Sequence, residues 1–247
     1  MAESKVQECC PIGSEPKLAA TYKPRGTNST LGDLPIYTIG EGDKAIIFIY
    51  DIFGSDAGRT KLCCDQLADA GFFVILPDFF RGEPWDSDDW SKLGEFFGKF
   101  SWPKLGKDLN DYVYPYLEQR GTKRIGMVGC CWGDYIVFQA SASGKIDVAV
   151  GFHPTLTKFA ESAESLAEAT KCPHFLMPAG NDPDEIKEGG SVEKILKGKP
   201  FGDKVRVKTF PDMAHGWVPR GDLGNPDVAR DCKEAMQLAV DYFKELL

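Results

Sequence analysis

The run Gly129-Cys130-Cys131-Trp132-Gly133 sets a nucleophilic side chain, Cys131, between glycines two positions before and two after it. An apolar strand-like run, RIGMVG (124–129), leads into it, and a helical run, IVFQASASG, follows shortly after. A reactive side chain on a tight strand-to-helix turn needs small neighbours at those two positions, because the backbone there passes too close to its surroundings for larger ones. A thiol at a helix amino terminus also meets unpaired N–H groups and the positive end of the helix dipole, both of which favour the attacking thiolate. Most unbridged cysteines are small buried hydrophobes. Placement between strand and helix is what separates Cys131 from that majority, whereas Cys130 is expected to point away from the turn and into the core.

A thiol nucleophile needs a base, and the base needs an orienting acid. The chain has three histidines. His215 lies in a loop after the run KVRVKTF (204–210) and is the leading base; His153, directly after DVAVGF (147–152), is its rival and otherwise a pocket-lining residue. His174 opens a strand at the far end of the sheet and reads as packing. Asp182, at the end of HFLMPAGND, is the acid expected to hold the imidazole, with Asp184 and Asp212 as alternatives. Attack on a carbonyl further requires two backbone donors for the oxyanion. Trp132, the residue after the thiol, supplies one, and Ile52, in the loop Tyr50-Asp51-Ile52-Phe53-Gly54, supplies the other.

These residues must be carried by a scaffold, and its pattern is short buried runs alternating with amphipathic stretches. Strands are predicted at 45–50, 72–77, 124–129, 147–152, 174–179 and 204–210, most of them apolar throughout, as strands covered on both faces are. Leu105, Leu109, Tyr112, Val113, Tyr116 and Leu117 mark one helical face, with Pro115 expected to kink or break it. Asn225-Pro226 opens the last helix, and a helix over 58–70 stops at Gly71. The segment 80–103, with Trp85, Trp90, Phe96, Phe97, Phe100 and Trp102, is either a pocket wall or aromatic packing at the sheet edge. The first 34 residues read as a surface segment of the same domain, and 35–247 as a single α/β domain.

Composition excludes several classes. At 247 residues and 43% hydrophobic the chain is too apolar for disorder. Thirty-seven acidic against twenty-nine basic residues, a net charge of −8, argue against a nucleic-acid partner. No run approaches the ~20 apolar residues of a membrane span, and the amino end lacks a secretory signal. Six of the eight cysteines fall in adjacent pairs, without zinc-knuckle spacing, so reduced thiols in the cytoplasm are expected and no metal.

On Asp51-Ile52-Phe53-Gly54, Pro77-Asp78-Phe79-Phe80-Arg81-Gly82, the elbow around Cys131, Ala179-Gly180-Asn181-Asp182 and His215-Gly216-Trp217, residues 15–247 resemble the dienelactone hydrolase family of the α/β-hydrolase superfamily. The resemblance implies an α/β-hydrolase fold, a mostly parallel central sheet with helices on both faces. It also implies a Cys131-His215-Asp182 triad acting on small activated esters or lactones, the name-giving substrate being an enol lactone that bears a carboxylate. It further implies that Asp51 modulates the thiol and that Arg81 and Arg220 grip the substrate carboxylate. No cofactor is needed for acyl transfer through a thiol. The family usually continues the elbow with a second small residue; here stands Asp134, whose carboxylate is expected to raise the thiol pKa. The alternative reading is a non-catalytic binding module with a redox-sensitive thiol.

Overall fold

The computed structural model describes residues 22–156, 160 and 162–247. Eight strands form one sheet: β1 Thr27–Leu31, β2 Leu34–Ile39, β3 Lys44–Ile49, β4 Phe73–Pro77, β5 Arg124–Cys130, β6 Val148–Phe152, β7 His174–Met177 and β8 Arg206–Val207. Their spatial order is β1-β2-β4-β3-β5-β6-β7-β8. β2 runs antiparallel to both β1 and β4, and every other pairing is parallel.

The apolar runs are apolar because both faces of these strands are covered. Glycines on β5 show this directly. A side chain at Gly126 would strike Phe243, while one at Gly129 would strike Asp134. Positions 126 and 129 differ in parity, so these neighbours lie on opposite faces of the sheet. One layer contains α1 (Thr60–Asp69) and the last helix, α9 (Pro226–Leu246), which touch each other. The other is a contiguous set: α3 (Trp102–Asp108), α5 (Trp132–Ser141), α6 (Ala163–Ala169) and α7 (Ser191–Lys197). The remaining α-helices among the described residues are α2 (Leu93–Lys99), α4 (Tyr114–Gln119) and α8 (Trp217–Arg220).

Several elements differ from the sequence reading. The surface segment is expected to run into an edge strand; its end instead forms the edge strand itself, β1, in a hairpin with β2 whose outer strand, TNSTL, is polar and exposed. The helix does not break at Pro115. A π-helical turn over Leu109–Val113 precedes it and joins α3 to α4. The widened turn accommodates a residue that has no N–H to give and whose ring crowds the preceding turn. The expected strand 204–210 shortens to two residues, because its neighbour β7 ends at Met177, before Pro178, which donates nothing to a ladder. Pairing resumes once, as a bridge between Ala179 and Phe210. The last helix does begin at Asn225, whose side chain accepts a hydrogen bond from Asp227 N–H at 3.0 Å. Of the expected surface segment, residues 1–21 lie outside the described residues.

Candidate active site

Cys131 occupies the single residue between β5 and α5, with φ 56° and ψ −119°. The two flanking glycines show why the turn is legible in the sequence. A Cβ at Gly129 would lie 2.5 Å from the backbone of Asp134, and one at Gly133 would lie 2.5 Å from the carbonyl oxygens of Ile49 and Tyr50. The strained residue is tied on both sides: Cys131 N–H donates to Phe152 C=O, and Thr155 N–H donates to Cys131 C=O, each at 3.1 Å. Trp132, first in α5, has no intrahelical acceptor for its N–H.

From the thiol a line of polar contacts runs across the carboxyl ends of four strands, β5 to β8. Cys131 Sγ and Thr155 Oγ1 are 3.5 Å apart, and Thr155 Oγ1 is 3.5 Å from His215 Nε2. On the far side of the ring, Nδ1 lies 2.6 Å from Asp182 Oδ1. The other carboxylate oxygen accepts from Ala179 N–H at 2.7 Å, and Asn181 Oδ1 accepts from His215 N–H at 2.8 Å. Cys131, Thr155, His215 and Asp182 are buried, whereas Asn181 is exposed. Asp184 is exposed and pairs with Lys187, and Asp212 is exposed, so Asp182 is the acid placed against His215. The rival His153 (φ 40°) is also present, its ring edge-on to that of His215 at 4.8 Å. Thr155 and Asn181 had no role in the sequence reading. Asn181 sits inside a motif already noted; Thr155, in the irregular turn after β6, carries no periodic or motif signal.

Arg220 and Asp51 form a fully buried ion pair, Nε to Oδ2 at 2.7 Å. Asp51 Oδ1 also accepts from Phe53 N–H at 2.9 Å, and the guanidinium lies over the Phe53 ring at 4.7 Å. Gly216, with φ 88°, lets the arginine fold back, since any side chain there would run into the guanidinium. Arg81 is elsewhere engaged. Its guanidinium holds Asp108 through two nitrogens, at 3.0 and 3.1 Å, and Asp33 at 2.9 Å. The two arginines are thus held by different carboxylates.

The loop carrying Ile52 is fastened to the turn that follows His215. Arg59 donates to the carbonyls of Trp217, Val218 and Gly221 at 2.6–3.0 Å, capping α8, and its own N–H donates to Pro219 C=O. Across from this, segment 80–103 packs its rings beside the elbow. Trp132 lies 4.8 Å from Phe80 and stacks on Phe97 at 6.2 Å, and Phe80 in turn meets Phe96 and Phe100. These contacts are those of aromatic packing against the elbow.

Asp134 departs from expectation. Its carboxyl is fully buried against Gly151, where any side chain would collide with it, and neither oxygen has a hydrogen-bond partner among the described residues. Burial pushes its pKa well above the ordinary carboxylate range. A carboxyl that keeps its proton does not oppose a thiolate by charge. Cys130 is likewise buried, and burial pushes its thiol well up. Among the described residues no three His, Cys, Asp or Glu side chains are grouped to hold a metal ion.

A mixed sheet in this strand order, with a strained residue after the fifth strand and an acid and a histidine after later ones, defines an α/β-hydrolase. The sequence model of the dienelactone hydrolase family matches residues 37–247, and the chain belongs to that family. It is 30% identical to "Hydrolase tropI" of Talaromyces stipitatus, over all of this chain and 99% of the relative. It is 28% identical to the carboxymethylenebutenolidase homolog of Xenopus tropicalis, over 97% and 98% of the two chains. Among solved structures, the dienelactone hydrolase of Anabaena variabilis superposes with a TM-score of 0.63 at 18% identity, covering 91% of this chain and 98% of that one. The protein is a hydrolase of the dienelactone hydrolase type, with a small-molecule substrate. No described helix is long and apolar enough to cross a membrane.

Proposed function

We propose that the protein hydrolyses small activated esters or lactones through a thioester on Cys131. The observation that carries this reading is the unbroken series of contacts from Asp182 through His215 and Thr155 to the thiol. His215 takes the thiol proton at Nε2 while Asp182 holds Nδ1–H and stabilises the imidazolium that forms. The thiolate attacks the carbonyl, and the oxyanion is met by the N–H groups of Ile52 and Trp132. The tetrahedral adduct collapses with loss of the alcohol, which takes its proton from His215. Water, deprotonated by the same ring, then releases the acid and regenerates the thiol.

Two finer points follow from the arginines. With Arg81 committed to Asp33 and Asp108, Arg220 is the cation proposed to meet a substrate carboxylate, which it would do by exchanging Asp51 for it. Asp51 thereby responds to the substrate, as a group that modulates the thiol must. The described cysteines are in no disulfide, which supports placing this single-domain enzyme in the cytoplasm.

The test is turnover of 4-nitrophenyl acetate by wild type and Cys131→Ala, with mass detection of an acyl adduct. Loss of at least about a thousandfold in kcat/KM and absence of the adduct in the variant are expected. A wild type inert towards a panel of esters and lactones would instead support a binding module with the same fold.

A further inference from the structure

We propose that Thr155 is a catalytic residue whose hydroxyl relays the proton of the Cys131 thiol to His215. The inference rests on the reading of Cys131 as the nucleophile. Its basis is position: one oxygen, Thr155 Oγ1, stands 3.5 Å from both the sulfur that must lose a proton and the ring nitrogen that must gain it. Distances of that length suit a contact to sulfur and are long for oxygen to nitrogen, as hydrogen bonds of a resting enzyme often are before substrate tightens them.

The direction of the relay is set by the far side of the ring. Asp182 accepts at Nδ1, so that nitrogen carries the proton and Nε2 presents a lone pair towards Thr155. A hydroxyl donates one hydrogen bond and accepts two, so it can accept from S–H and donate to Nε2 at once. On activation the S–H bond breaks and its proton passes to Oγ1 as the original O–H proton passes to Nε2. Cys131 is left as thiolate, His215 as imidazolium, and Thr155 has its hydroxyl restored.

The hydroxyl is also held in place. Thr155 follows His153, in a left-handed conformation, and Pro154, with its fixed φ, and its N–H is bonded to the carbonyl of Cys131 itself. Its side chain is β-branched and restricted at χ1, and the residue is buried. The turn after β6 therefore carries the relay group and, through the same residue, braces the elbow.

The experiment compares kcat/KM for 4-nitrophenyl acetate, which reports acylation, in wild type, Thr155→Val, Thr155→Ser and Cys131→Ala. Thr155→Val keeps the shape and the N–H bond and removes only the hydroxyl; it is expected to lower kcat/KM about 10- to 100-fold with KM nearly unchanged. Thr155→Ser is expected to stay within about threefold of wild type, since it restores the donor and acceptor. A valine variant within twofold of wild type, or a serine variant as impaired as the valine one, overturns the relay. A proton inventory on the wild-type enzyme needs no variant to fold. Acylation rate should curve with deuterium fraction, because two protons move together, and a linear dependence overturns the proposal. Turnover that persists in Cys131→Ala would mark failure of the nucleophile reading, separately from that of Thr155.

Discussion

Asp134 is a single residue placed where the elbow has no need of a charge. Its carboxyl is buried without gaining a partner among the described residues, and it fits only because Gly151 opposite has no side chain. A buried polar group left without hydrogen bonds costs about 1–3 kcal/mol. Its raised pKa gives the cost a pH dependence. Above the ordinary aspartate value near 3.8 the unfolded chain ionises while the folded one keeps its proton, so stability contributed by this group is lost as pH rises. Asp134→Ala should therefore stabilise the protein by about 1–3 kcal/mol at pH 7 and by less near pH 4, measured by urea unfolding at the two pH values. An alanine variant no more stable than wild type at pH 7 would contradict the argument.

At the scale of elements, the turn between β5 and α5 is the part with least freedom. Gly133→Ala would push a methyl group against two backbone carbonyls that cannot swing aside. It should cost about 1–3 kcal/mol of stability, read from thermal unfolding, and lower esterase turnover more than tenfold as Cys131 is displaced. This same steric necessity made the turn readable from the chain alone, because glycine spacing there reports a backbone collision. The buried strands were readable for a comparable reason, double coverage leaving a continuous apolar run. Elements at the margins were not. β1 is polar because both of its faces are exposed, and β8 is short because of a proline in its neighbour, a fact about pairing that no single run displays. The π-helical turn before Pro115 answers a local conflict whose resolution the hydrophobic spacing does not encode. Thr155 escaped for another reason: it meets Cys131 and His215 only after three separate strand ends converge, and the residues around it follow no pattern.

For the whole molecule, acid stability falls to a residue remote from the chemistry. His174, at the start of β7, is fully buried with its ring against Phe138 at 4.4 Å and Nδ1 3.1 Å from Cys172 C=O. Burial lowers its pKa from 6.5 to about 4. Above pH 6.5 both folded and unfolded chains carry it neutral. Between 6.5 and 4 only the unfolded chain takes up the proton, so stability falls with pH by up to about 3 kcal/mol. His174→Asn, which keeps a donor for the Cys172 carbonyl, should flatten this limb of the stability profile between pH 6.5 and 4. An unchanged limb would assign acid lability to other groups. The molecule is also unevenly committed around its mouth. Arg59 rivets the Ile52 loop to the turn after His215, so those two lips shift only as one piece. Segment 80–103 meets that machinery through rings, Phe80 and Phe97 on Trp132, and through backbone bonds such as Trp85 N–H to Ile52 C=O at 2.9 Å, which an exchange of rings leaves in place. Substrate range can accordingly be re-cut by exchanging one ring for another on that side while the reacting atoms keep their places.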